Sequence, residues 1–113
     1  MSTLNRHDPS DIPERVRTDL FASERRCRLL RALAAAGGEK SVRDLAIQIR
    51  AEETGQAADQ VDSDTVESTR YEIYDRHLPK LAATGVVEYD STLDKLRLLD
   101  SEIREEAERE LDE

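Results

Sequence analysis

His77-Leu78-Pro79-Lys80-Leu81-Ala82-Ala83-Thr84-Gly85-Val86-Val87-Glu88-Tyr89 holds a helix end, a stop and a strand in one stretch. Leu78 and Leu81 continue an apolar spacing that begins upstream at Val66 and Ile73. Pro79 has no N–H for the Asp75 carbonyl, so the spacing predicts a helix that kinks or loosens near residue 75. Gly85 supplies a left-handed helix stop, and Val86 to Tyr89 is too short and too β-branched to favour another helix. Leu96-Arg97-Leu98-Leu99 follows the polar Asp90 to Lys95 loop and is expected to pair back as the second strand of a hairpin.

Upstream of this junction the pattern is helical. A short turn is expected to begin after Thr18 and carry Leu20 and Phe21 into the core. Ser23 is placed to cap a helix over Glu24 to Ala36, with Gly37-Gly38 as its stop. Cys27, Leu30, Leu33 and Ala34 share one face of that helix, and Arg25, Arg26, Arg28 and Arg31 occupy the others. Ser41 caps a second helix, in which Val42, Leu45, Ala46 and Ile49 follow the i, i+3, i+4, i+7 template. The polar stretch from Glu52 to Val61 reads as a loop. Asp64 with Glu67 starts the third helix, whose buried side is expected to be Val66, Ile73, Tyr74, Leu78 and Leu81.

The order is helix, helix, helix, hairpin, helix. Two strands alone are marginal, so the hairpin must share a core with the helices. The expected fold is mainly α with a small β-hairpin: a winged helix-turn-helix, plus a C-terminal amphipathic helix. A plain helical bundle is the competing architecture. The expected division is a flexible N-terminal arm (1–16), a winged-helix domain (17–99) and an acidic C-terminal helix (100–113).

Charge complicates the functional reading. The 113 residues carry a formal charge of -9, and 38% of them are charged. Residues 100–113 hold eight acids against Arg104 and Arg109, so most of the excess lies there. Arg outnumbers Lys fourteen to three. High acid with little Lys suits a high-salt cytoplasm, though an ordinary acidic protein has the same signature. No apolar run approaches the ~18 residues of a membrane span, and no hydrophobic signal region opens the chain. The single cysteine, Cys27, excludes an intramolecular disulfide and suits a reducing, cytoplasmic setting.

Ser23-Glu24-Arg25-Arg26-Cys27-Arg28-Leu29-Leu30-Arg31-Ala32-Leu33 and Gly37-Gly38-Glu39-Lys40-Ser41-Val42-Arg43-Asp44-Leu45-Ala46 resemble the opening of many small archaeal and bacterial winged-helix regulators. With Ile73-Tyr74-Asp75-Arg76-His77-Leu78-Pro79-Lys80-Leu81 and Gly85-Val86-Val87-Glu88-Tyr89-Asp90, residues 17–99 resemble a winged-helix domain family of unknown function abundant in halophilic archaea. The resemblance implies a winged helix and DNA binding. Cys27 interrupts what is usually a longer arginine run, and Arg70 stands where an apolar or aromatic residue is expected.

Catalysis has little support. His7 and His77 are the only histidines, no Cys/His group has metal spacing, and Gly37-Gly38 lacks the pattern of a phosphate loop. Cys27 reads as a packed thiol. His77 is expected to bond a carbonyl freed by Pro79. No cofactor or small-molecule substrate is implied.

The leading expectation is a transcriptional regulator that binds double-stranded DNA with its third helix and wing. Ser68 and Arg70 are the candidates for base edges, and Arg43, Lys95 and Arg97 for the phosphate backbone. Asp62 to His77 is nevertheless acidic, which weakens phosphate contact. The alternative is a winged-helix module that binds another protein and not DNA. The stripe Ile103, Ala107 and Leu111 on the last helix needs a partner. It is expected to form a homodimer or to pack on the chain's own first long helix, and the arginine cluster is a candidate partner for the acidic tail.

Overall fold

The computed structural model describes residues 12–111, with side chains up to residue 109. Its elements are α1 (Glu14–Leu20), α2 (Glu24–Ala35), β1 (Glu39–Ser41), α3 (Val42–Thr54), α4 (Ser63–Glu72), α5 (Leu78–Ala83), β2 (Val87–Asp90), β3 (Lys95–Leu98) and α6 (Ser101–Leu111). A single 3-10 turn, Ala58–Gln60, precedes α4, and a π-helical turn, Ile73–His77, joins α4 to α5. The π turn lies where Pro79 withdraws its hydrogen bond, so the loosening expected near residue 75 takes the form of a widened turn. The caps at Ser23 and Ser41 form as expected, accepting from the N–H groups of Arg26 at 3.2 Å and Asp44 at 3.0 Å. α4 begins one residue earlier than expected because Asp62 takes the cap, accepting from Thr65 N–H at 3.2 Å.

The sheet corrects the expected two-stranded hairpin. It has three antiparallel strands in the order β1-β3-β2, with Glu39 opposite Arg97 and Val87 opposite Leu98. β1 enters between α2 and α3, and the Leu98 N–H reaches the Gly38 carbonyl at 2.7 Å. Gly38 has φ +100, and an added Cβ would come within 3.1 Å of the Arg104 guanidinium. At the far end, Gly85 has φ +78 and closes α5 as expected. α1 starts at Glu14, earlier than the turn after Thr18 that the sequence suggests. The expected N-terminal arm lies, for residues 1–11, outside the described residues.

One core joins all layers. Leu20 of α1, Leu29, Leu30 and Leu33 of α2, Leu45 and Ile49 of α3, Ile73, Leu81, Leu96 and Ile103 are each at most 1% exposed. Each such side chain contributes roughly 1.5–3 kcal/mol relative to staying in water. The α3 template Val42, Leu45, Ala46, Ile49 is buried without exception. Three helices, the three-stranded sheet and the last helix thus make a winged-helix-like fold. Ile103 and Ala107 are both 0% exposed, and α6 lies on α2 of the same chain. The stripe is therefore covered by intramolecular packing; the side chain of Leu111 lies outside the described residues. Asp100 caps α6, accepting from the N–H groups of Glu102 at 2.9 Å and Ile103 at 3.0 Å.

Candidate helix–wing interface

α4 presents Asp64, Glu67, Ser68 and Tyr71 to solvent, while Val66 and Thr69 turn inward. The hairpin β2–β3 stands beside it as the wing, and an aromatic–acidic cluster fastens the two. Asp94, in the loop that joins β2 to β3, has φ +53, a conformation that Asp tolerates better than most residues. Its Oδ1 accepts from the Tyr74 hydroxyl at 2.5 Å and the Tyr89 hydroxyl at 2.8 Å. Its Oδ2 accepts from Arg70 at 3.1 Å. The Tyr74 and Tyr89 rings meet edge to face, 6.0 Å between centroids, and Arg70 lies over Tyr74. Burial works against the Asp94 charge, but the hydrogen bonds from Tyr74, Tyr89 and Arg70 outweigh it and hold the carboxyl below its ordinary range. The hydrogen bond to Asp94 pushes the Tyr89 phenol well up. For Tyr74 burial is the main cause of a rise.

The five residues expected to face DNA fall into separate places. Arg43 is exposed on the first turn of α3 and makes no ion pair among the described residues. Ser68 is exposed on α4, and its hydroxyl donates to the Thr65 carbonyl at 3.1 Å. Arg70 is held by Glu67 at 2.9 Å, by Asp94 and by the Tyr74 hydroxyl. Lys95 and Arg97 are on the side of the sheet opposite the buried Leu96 and Leu98. Lys95 donates to Glu39 at 3.1 Å and Arg97 to Glu88 at 3.0 Å. The Lys95 hydrogen bond, above all, lowers the Glu39 pKa.

A second polar cluster lies behind α4. Arg26, 7% exposed, donates to the Leu20 carbonyl at 2.8 Å and the Asp19 carbonyl at 2.7 Å, closing the end of α1. His77, 5% exposed, sets Nδ1 3.4 Å from Arg26 and Nε2 3.3 Å from Glu72. It bonds these side chains instead of the expected freed carbonyl, because the widened turn carries the ring toward α2. An arginine can only donate, so Nδ1 accepts and the ring proton is assigned to Nε2. Burial, above all, lowers the His77 pKa. Glu72 also meets Arg25, which grips Glu53 of α3 through two bonds of 2.8 Å each. The hydrogen bond from Arg25 is the main reason that Glu53 is brought down to about 2. Within the arginine cluster Arg25 thus turns to acids of α3 and α4, and Arg28 to Glu24 and Glu52. Arg17 meets the acidic tail, 2.7 Å from Glu102.

Sequence reasoning passed over Tyr71 and Leu93. Tyr71 is 70% exposed on α4 and Leu93 is 59% exposed on the wing. The signal for Tyr71 was present, since it falls off the Val66–Thr69–Ile73 stripe. Among the described residues no three His, Cys, Asp or Glu side chains converge as metal ligands. No helix among them is long and apolar enough to cross a membrane. Cys27 donates its thiol to the Phe21 carbonyl at 3.1 Å.

A family model described as domain of unknown function DUF7344 matches residues 18–97, from α1 through β3. The chain belongs to the DUF7344 family. No curated protein and no solved structure matches it. The DUF7344 match takes in β1, β2, all of β3 but its last residue, and α4, and stops before α6.

Proposed function

We propose that this DUF7344 protein is a non-enzymatic winged-helix binding module of the cytoplasm whose α4–wing face docks another protein. One observation carries the reading: Arg70 beside α4 and Lys95 and Arg97 on the wing each lie within 3.1 Å of a carboxylate oxygen of the same chain. Phosphate contact supplies most of the non-specific affinity of a DNA-binding protein, and it needs cations whose neighbours do not repel the backbone. Glu67, Glu88 and Asp94 would stay beside any phosphate drawn to these arginines. Surface ion pairs are individually weak, about 0–1 kcal/mol, so the local excess of acid weighs more than the pairing.

A second reading is a DNA-binding regulator. It is favoured by the chain order, with α4 entering directly ahead of the wing, and by the unpaired, exposed Arg43. The connectivity is fold-level analogy. A few base contacts would suffice if concentrated salt screened the acids, a setting suited to the Arg-over-Lys composition. Fluorescence anisotropy with duplexes from the gene's own upstream region, at low and molar KCl, separates the readings. Docking to protein predicts no sequence preference at either salt. A preferred duplex whose binding falls on Arg70→Ala and Arg43→Ala would establish the second.

A further inference from the structure

The outward face of α4 and the tip of the wing each leave one large apolar side chain uncovered, Tyr71 at 70% and Leu93 at 59% exposure. Each is next in sequence to one end of the Arg70–Asp94 pair, whose atoms are 3.1 Å apart, so that pair brings the two segments together. Tyr74 and Tyr89 bond Asp94 across the same junction. Exposed carboxylates surround the tyrosine: Glu67 one turn before it, Asp64 two turns before, and Asp75 just beyond. Arg76 is the one exposed cation of that stretch, since Arg70 is engaged by Glu67 and Asp94. An exposed aromatic side chain within a charged rim suits a protein-docking surface.

We propose that this face binds a basic amphipathic segment of a partner protein. Its aliphatic side chains rest on Tyr71 and Leu93, and its Arg or Lys side chains meet Asp64, Glu67 and Asp75. The assignment rests on the reading that the ligand is a protein, and it adds the chemistry of that ligand. Charge complementarity selects it: an acidic segment would be repelled, and a uniformly basic one would leave both anchors in water.

The test uses the full chain and fluorescein-labelled helical peptides read by anisotropy. One peptide alternates leucine and arginine faces, a second has the same charge with the leucines replaced by serine, and a third has the arginines replaced by glutamate. Binding of the first at least tenfold tighter than of the second is expected. Tyr71→Ala and Leu93→Ser should each weaken it about tenfold, Glu67→Lys should weaken it as much, and Glu105→Lys on the distant α6 should leave it unchanged. Circular dichroism confirms that each variant is folded. Equal binding of the first two peptides, or insensitivity to Tyr71→Ala, would overturn the inference. Tyr71-dependent binding of the acidic peptide overturns the basic chemistry and leaves the protein-docking reading standing. A sequence-preferring duplex whose binding needs Tyr71 overturns both.

Discussion

Arg26 and His77, 51 residues apart in the chain, meet with a guanidinium nitrogen 3.4 Å from Nδ1. A protonated ring would set two positive groups against each other in a buried place, so the fold favours the neutral ring. Burial, aided by Arg26 and Arg25, keeps the His77 pKa below its ordinary value, with Glu72 opposing. The unfolded chain then binds the proton more readily than the folded one, so stability rises with pH. The contribution is complete above the ordinary histidine value of about 6.5 and declines as pH falls through it. The carboxylates held low, Glu53, Asp94 and Glu39 among them, lose their contribution only at more acid pH. Urea midpoints should therefore drop between about pH 7.5 and about pH 5.5, and His77→Gln should flatten the slope. A slope unchanged in the variant would assign it elsewhere.

Arg25 ties three helices together through Glu53 and Glu72. Arg25→Ala removes the link between Glu53 and Glu72, leaving Glu53 to Arg50 at 2.8 Å, and should cost about 1–3 kcal/mol by denaturant unfolding. Because Glu53 is lowered from 4.5 to about 2, the pair's contribution is present above the ordinary value and lost as pH falls toward the lower one. The difference between wild type and variant should shrink over that interval. A constant difference would point to lost side-chain packing instead.

Ile103 is 0% exposed within a single chain. Ile103→Ala should cost about 2–5 kcal/mol, as truncation in a packed core does. Sedimentation should be the same for variant and wild type at low and molar KCl. A wild-type dimer that dissociates on Ile103→Ala would mean the stripe also reaches across to a second copy.

Asp94 gathers three donors in the loop of the wing. Asp94→Asn keeps the side chain's tolerance of positive φ and removes the charge they share. It should cost about 1–3 kcal/mol. Tyr89, raised mainly by its bond to Asp94, should ionise at lower pH in the variant when absorbance is followed into alkali. An unchanged titration would leave the wing fastened by packing alone.

Much of the fold was legible because it is local. Val42, Leu45, Ala46 and Ile49 announce α3 by spacing, and Ser41 announces where it begins. Pro79 marks the weak point of the long helix before any coordinates are seen. β1 escaped because Glu39-Lys40-Ser41 has neither alternation nor β-branched residues, and becomes a strand only when β3 arrives to pair with it. The role of Arg26 escaped for a related reason, since its partners are two carbonyls of α1 and a histidine far along the chain. The candidate site was legible in its charge but not in its connections. The acid excess on α4 and the wing could be counted, while the engagement of Arg70 with Asp94 depends on how the wing leans.

β3 is the middle strand, yet it is the last to be synthesised. Glu39 waits for Lys95, 56 residues later, which at about 5–20 residues per second is roughly 3–11 s of translation. Through that interval α1 to α5 can form, but α2 lacks the cover that β3 and α6 bring. The nascent protein is most exposed to proteases and to aggregation just before its final elements emerge. Stop codons placed between α5 and α6 should therefore yield chains that cells clear quickly.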